Sequence, residues 1–507
     1  MSQQFEMVAK TFQGLEAVLA GELKALGAVN VEPGKRMVSF EGDLEVLYKA
    51  NLYCRTALRI LKPIYKFIAD DTDSLYSLVK EYDWGSILSV DKTFAIDSVT
   101  YSDEFTHSRF VTYRVKDAIV DWFTDRLGEG KRPGVRLNDA DVMINVHISG
   151  NRVTLSLDSS GESLHKRGWR EAQTEAPINE VLAAGIILLS GWTGDTPFVD
   201  PMCGSGTFLI EAAMIAANIH PGIYRKSFAF ESWPDFDREL FDRLYNDDTL
   251  ERTPPCPIMG ADMSPKAVAI ATRNIKRAGL SRYIDLQVKP LSQWTEAPAN
   301  GTLITNPPYG ERISADNMEG LYELIGNKLK TVFTGYHAWI IGYRIDLFNA
   351  IHLSPSTKMP LLNGALECEL REYVIFEGDY KSFRTAGNKL HHGDAKKQAQ
   401  PADRKVRRLS DKQWADEARH KGFGGRTSAV TANKKDGRTR SATPARPQRS
   451  AKGQPTAPVR DIDKPVSDNP LAARRNPKAL SMLRGKTPSL PPAEGPTMRP
   501  RRGWKKK

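Results

Sequence analysis

The run Asp200-Pro201-Met202-Cys203-Gly204-Ser205-Gly206-Thr207-Phe208 follows a short apolar stretch and opens a helical pattern; Asn306-Pro307-Pro308-Tyr309 stands about a hundred positions later. Gly204 and Gly206 lack a Cβ, so the first run can turn tightly beneath a ligand. The helix behind it presents unpaired N–H groups to the same space. The second run supplies a carboxamide oxygen from Asn306, a carbonyl from Pro307 in a rigid turn, and the aromatic face of Tyr309. Two acceptors aimed at one exocyclic NH₂ hold it in plane and draw its lone pair toward the direction of attack. Tyr309 is suited to stack on the ring that carries the amine. No charged general base is required, because nitrogen sheds its proton during or after attack. The pair of runs reads as a cofactor loop beside a site for a planar amine.

Two carboxylates extend that site. Asp200, at a strand end, is placed to accept from loop amides or from the ammonium of an amino-acid ligand. Asp262, at the end of the next strand, is placed to accept both hydroxyls of a ribose, more strongly than a neutral side chain would. The loop matches neither common nucleotide signature. A dinucleotide fold wants a further glycine where Phe208 and Leu209 stand, and a phosphate loop wants Lys where Thr207 stands.

These residues need elements to hold them. Phe12, Leu15, Val18, Leu19, Leu23 and Leu26 recur at helical spacing, and Val111, Val115, Ala118, Ile119, Trp122 and Phe123 give one apolar face to a helix over Ser108 to Leu127. Val142, Ile144, Val146 and Ile148 alternate, Ser149-Gly150-Asn151 turns the chain, and Val153, Leu155 and Leu157 alternate again, which predicts a hairpin. From about residue 176 helices alternate with short buried strands, the pattern of a parallel sheet. Strands are expected at Pro197 to Asp200, Ile258 to Asp262, Ile284 to Val288, Gly301 to Thr305 and His337 to Gly342, with a closing hairpin near Lys358 to Leu362 and Leu366 to Phe376. Ser264 is expected to cap a helix that begins at Pro265. Residues 219 to 256 form a long insertion.

The 507 residues are 40% hydrophobic and carry a formal charge of +11, but that charge is unevenly placed. Residues 389 to 507 hold 31 Lys+Arg against 10 Asp+Glu, a balance of +21; the whole chain holds 72 against 61, so residues 1 to 388 hold 41 against 51, a balance of −10. The tail is rich in Pro, Ala, Ser, Arg and Lys and cannot bury enough apolar surface to order itself, so it reads as disordered. A flexible cationic arm binds polyphosphate by releasing counterions. Cys54, Cys203, Cys256 and Cys368 form no Cys-x-x-Cys pair and have no His at metal spacing, which points to a reduced, cytoplasmic protein without a metal. No apolar run reaches a membrane span.

Taken together, Leu164-His165-Lys166-Arg167-Gly168-Trp169-Arg170, Ala176-Pro177-Ile178-Asn179-Glu180, the Asp200 to Thr207 loop, Gly260-Ala261-Asp262, and Asn306 to Gly310 with Glu311-Arg312 resemble class I S-adenosylmethionine-dependent methyltransferases. The narrower resemblance is to the bacterial guanine-N2 methyltransferases of large-subunit ribosomal RNA that carry a THUMP domain, and it covers roughly residues 1 to 385.

The resemblance implies an α/β fold: a Rossmann-like methyltransferase domain at 161–385, preceded by an α+β RNA-binding part made of a ferredoxin-like segment at 1–60 and a THUMP domain at 61–160. The basic tail takes 386–507. It implies S-adenosylmethionine as cofactor and ribosomal RNA, of the large subunit or its precursor particle, as partner. By carry-over, Asp200, Pro201, Met202, Cys203, Gly204, Ser205, Gly206 and Thr207 hold the methionine moiety, Asp262 the ribose, and Asn306, Pro307, Pro308 and Tyr309 the target base, extruded from its stack. Pro177 and the segment before it close over the cofactor. Pro290 falls where the family has an acidic contact to the adenine amine, so Gln287 or a backbone group is expected to replace it. Some relatives fuse a second methyltransferase domain; the basic arm here leads to the expectation of one activity. A transfer-RNA guanine methyltransferase of the same architecture, a DNA adenine methyltransferase and a non-catalytic ribosome-assembly factor are the competing expectations.

Overall fold

The computed structural model describes residues 3–378, apart from Asn138, Ala176, residues 309–314 and Ala365. Tyr309, Gly310, Glu311, Arg312 and the basic tail therefore lie outside the described residues.

The N-terminal part builds one continuous sheet from β1 (Phe5–Lys10), β2 (Val29–Gly34), β3 (Met37–Gly42), β4 (Arg59–Ile68), β5 (Thr93–Tyr101), β6 (Gly134–Val135), β7 (Val142–Ser149) and β8 (Arg152–Asp158), in the order 2-3-1-4-8-7-5-6. β4 joins its two halves. Val8 pairs with Leu61 on one side of β4, and Leu61 to Ile68 pair with Asp158 to Arg152 on the other. The expected division at 60/61 thus falls inside a strand. Helices α1 (Glu16–Ala25), α2 (Leu44–Tyr53), α3 (Thr72–Glu81) and α4 (Ser108–Leu127) pack on this sheet. α4 buries the stripe read from the sequence, Val111, Val115, Ala118, Ile119, Trp122 and Phe123.

The C-terminal part is a second sheet: β9 (Phe198–Asp200), β10 (Ile258–Asp262), β11 (Ile284–Val288), β12 (Thr302–Thr305), β13 (His337–Gly342), β14 (Thr357–Asn363) and β15 (Leu366–Val374), ordered 11-10-9-12-13-15-14. The first five are parallel, and β15 runs antiparallel to β13 and to β14. α5 (Glu180–Leu189), α6 (Thr207–Ala216), α7 (Arg238–Tyr245), α8 (Pro265–Arg277) and α9 (Ala315–Thr331) accompany it. Ser264 caps α8 as expected, its hydroxyl accepting from Ala267 N at 3.3 Å. The insertion does not hang free. Its Phe230 and Phe241 pack on Tyr48 of α2, with ring centroids 4.6 and 5.7 Å away.

Buried charge joins the two halves. The Glu22 carboxylate of α1 accepts from Arg55 N at 2.8 Å and Thr56 N at 3.0 Å. Arg167 donates to Arg55 O at 2.6 Å and pairs with Glu211 of α6 at 3.3 Å, both partners of the pair being almost wholly inaccessible. Burial raises the carboxyl pKa of Glu22 and of Glu211 and lowers that of the Arg55 guanidinium. An apolar plug accompanies the ions: Leu15 fits against Gly185 of α5, where a Cβ would lie only 2.4 Å from Leu15 Cδ1. No helix among the described residues is long and apolar enough to cross a membrane.

Candidate active site

The strand order reverses between β9 and β12, because the chain leaves β9 toward β10 and returns to the other side at β12. The carboxyl ends of strands flanking such a switch point form the ligand crevice of an open parallel sheet. Every sequence-predicted site residue that the structure describes lies at or beside that edge, apart from Pro177, which sits on the strap leading into α5.

The loop from Pro201 to Gly206 is pinned from three sides. Gly204 and Gly206 adopt φ of +54° and +82°, in the left-handed region that favours glycine. Cys203 N donates to Ala261 O at 2.9 Å, Gly204 N to Asp262 Oδ2 at 3.0 Å, and Gly206 N to Cys203 O at 2.8 Å. Behind the loop, a Cβ built on Gly206 would lie 3.1 Å from Ala271 Cβ of α8. Asp262 also accepts from Ser264 N at 2.9 Å, so each of its oxygens holds one backbone amide and keeps a second lone pair. Cys203 is a free, buried thiol whose pKa burial pushes well up, so it is no thiolate nucleophile.

Asp200 is buried at the end of β9. Its Oδ1 accepts from Thr305 Oγ1 at 2.8 Å and Met202 N at 3.2 Å. Burial pushes its carboxyl up to about 7, with the nearby Asp262 adding to the rise and the two hydrogen bonds opposing it. A buried carboxylate in that state is stabilised by an arriving cation. Asn306 follows Thr305 directly and is half-buried; Pro307 is buried and Pro308 exposed. Tyr309 falls outside the described residues.

Five contributors were not assigned roles from the sequence. Arg170 donates to Glu180 at 2.7 Å, Ser205 Oγ at 3.1 Å and Thr207 Oγ1 at 3.0 Å, bracing the loop side chains. Asn274 of α8 bonds both to the loop and to residues 171–172. Thr305 holds Asp200. Met263, beside Asp262, is 75% exposed, and Val288 at the end of β11 is 53% exposed. Two bare apolar side chains at adjacent strand ends suit the faces of a planar heterocycle. Asn274 had a signal: it is a polar residue on an otherwise apolar stripe, Ala267, Ile270, Ala271 and Ile275. Gln287 donates to Asp285 at 3.0 Å on an exposed stretch of β11. Among the described residues, no group of His, Cys, Asp and Glu is arranged to hold a metal.

The sheet order and the loop geometry define a class I methyltransferase. The comparisons with known proteins agree. Residues 167–372 match the RMKL-like methyltransferase domain, 6–61 the RlmL ferredoxin-like domain and 69–158 the THUMP domain. The chain is 38% identical to "Putative RNA methyltransferase slr0064" of Synechocystis, across 73% of this chain and 96% of that one. It is 38% identical to ribosomal RNA large subunit methyltransferase K/L of Syntrophotalea carbinolica, across 74% of this chain, and spans about half (54%) of that longer relative. The crystal structure of SMU.472, "a putative methyltransferase complexed with SAH", superposes with a TM-score of 0.67 at 33% identity, over 75% of this chain and 100% of that one.

The chain belongs to the RMKL-like, S-adenosylmethionine-dependent methyltransferases that carry ferredoxin-like and THUMP domains. The residues present fit that cofactor: a buried carboxylate suited to an ammonium, a loop bent at two glycines that lack a Cβ, a strand-end Asp with lone pairs to spare, and two exposed apolar flanks.

Proposed function

We propose that this chain transfers a methyl group from S-adenosylmethionine to the exocyclic N2 amine of a guanine in 23S ribosomal RNA, in the cytoplasm. The observation that carries the proposal is the Thr305–Asp200 bond, which locks the end of the cofactor strand to the residue preceding Asn306. In this reading Asp200 takes the ammonium, the 201–207 loop the methionine moiety, Asp262 the ribose, and Met263 and Val288 the adenine faces. When bound, the cofactor supplies an electrophilic methyl carbon on its sulfonium. Asn306 Oδ1 and the Pro307 carbonyl hold the guanine NH₂ in plane, Tyr309 stacks on the base, and the proton leaves N2 to solvent. Positioning and two oriented dipoles do the work, without a charged base.

The N-terminal segments at 1–60 and 61–160 deliver the RNA, and the tail at 386–507 adds grip that is blind to sequence. Deleting residues 389–507, whose balance is +21, is expected to weaken RNA binding and flatten its salt dependence. Equal affinity across a salt series would remove the tail from that role.

The deciding experiment is mass-spectrometric mapping of methylated bases in ribosomal and transfer RNA from cells lacking the gene. Loss of one N2-methylguanine from large-subunit RNA supports the proposal. Loss from a transfer RNA, loss of a methyladenine, or no loss at all would each replace it.

A further inference from the structure

Asn274 is wholly buried, and its carboxamide makes as many hydrogen bonds as an amide has donors and acceptors. Oδ1 accepts from Glu171 N at 2.9 Å and Ala172 N at 3.2 Å. Nδ2 donates to Ala172 O at 2.9 Å and to Ser205 O at 3.0 Å. One side chain on α8 thus ties two backbone segments together, residues 171–172 and the cofactor loop.

Ser205 stands between the two glycines of positive φ, and the peptide joining it to Gly206 ends on a residue with no Cβ to oppose its turning. Both ends of that peptide are held. Its carbonyl meets Asn274 Nδ2, and its N–H donates to Cys203 O at 2.8 Å. The strap leading from residue 172 also comes close to the loop, because a Cβ at Gly204 would lie 3.8 Å from Thr174 Oγ1.

We propose that Asn274 is a positioning residue for methyl transfer, holding the 205–206 peptide in the orientation that binds cofactor and fixing the strap at 171–172 against the loop. The assignment rests on the cofactor site and is independent of which base is methylated. Without the carboxamide, the loop spends part of its time with the peptide turned, and apparent affinity falls by the competent fraction.

The test uses the full chain with Asn274→Asp, which keeps the acceptor of the Glu171 and Ala172 amides and loses the donor to both Ala172 O and Ser205 O, and with Asn274→Ala. Titration with S-adenosylhomocysteine is expected to show at least a tenfold weaker Kd at an unchanged stoichiometry. On an RNA that the parent methylates, KM for S-adenosylmethionine should rise in step while kcat holds within about threefold, the pattern of lost ground-state positioning. An unchanged Kd overturns the proposal. So does a fall in stoichiometry with the remaining sites at parental affinity, since that reports only misfolded protein. Should neither variant fold, hydrogen exchange on the parent decides: the amides of Glu171, Ala172 and Gly206 should gain protection together when S-adenosylhomocysteine is added, and unrelated exchange overturns it. A parent that methylates no RNA would sink the substrate assignment and leave these binding results standing.

Discussion

Thr305 Oγ1 donates to Asp200 Oδ1 across 2.8 Å, joining residues 105 positions apart at the ends of neighbouring parallel strands. Both side chains are buried. The bond ties the end of β9, where the glycine loop begins, to the residue that directly precedes Asn306.

Asp200 should make cofactor binding pH-dependent. Burial raises its carboxyl to about 7, well above the value of about 3.9 expected for the unfolded chain. Because the folded value is the higher one, the contribution to stability is complete below about pH 4 and is lost as the pH climbs through about 7. The cofactor-free protein is therefore expected to lose a few kcal/mol over that window, because each tenfold difference in proton affinity between the folded and unfolded chain is worth about 1.4 kcal/mol. An incoming ammonium favours the ionised form, so affinity for S-adenosylhomocysteine should rise up to about tenfold per pH unit from pH 5 toward 7, with proton release. Calorimetry in buffers of different ionisation heat measures that release; a flat profile refutes the assignment.

Thr305→Val keeps the shape of the side chain and removes the donor. Asp200 Oδ1 is then left with the 3.2 Å bond from Met202 N, its carboxyl should titrate higher still, and neutral-pH affinity for the cofactor should fall several-fold. Losing a hydrogen bond to a buried polar group typically costs about 1–3 kcal/mol, so the melting temperature should drop too. Thr305→Ser retains the hydroxyl and should behave like the parent. Equal cofactor affinity in the Val and Ser variants would show the bond to be idle.

Asn306→Ala should separate chemistry from binding. Its carboxamide is aimed at the reacting amine in the proposed mechanism, and removing one such oriented dipole typically lowers kcat by about 10²–10³-fold. Cofactor affinity should stay within about twofold, since Asp200, Asp262 and the glycine loop are untouched. Isothermal titration beside a tritium-transfer assay tests both halves; retained turnover removes Asn306 from the mechanism.

Much of this was legible beforehand because the signals are local. The α4 stripe, the β7–β8 hairpin, the cap at Ser264 and the strands β10, β11 and β13 fall where residue periodicity puts them. What stayed hidden is built from contacts between distant segments. Nothing around β4 tells a reader that it pairs with both β1 and β8 and fuses two expected segments into one sheet. Likewise Thr305, Arg170 and Asn274 act through partners 105, 35 and 69 residues away, and only the folded backbone brings them together. The insertion was unreadable for the same reason, since its aromatic residues find their partner in Tyr48 of α2.

The buried Arg167–Glu211 pair should be a strong coupling between the N-terminal half and the helix behind the cofactor loop. Arg167 also donates to Leu164 O at 3.0 Å and Arg55 O at 2.6 Å, so one guanidinium satisfies a carboxylate and two carbonyls. Arg167→Met leaves the Glu211 carboxyl without that guanidinium in a site of zero exposure, and breaking a buried pair in this way typically costs about 3–5 kcal/mol. Glu211→Leu alone strands the guanidinium in turn. The double variant removes both charges, and its loss should be clearly less than the sum of the two, though the orphaned carbonyls keep it below the parent. Thermal unfolding of the four proteins completes the cycle. Strict additivity would mean that the pair is held by its surroundings and that its charges do not depend on each other.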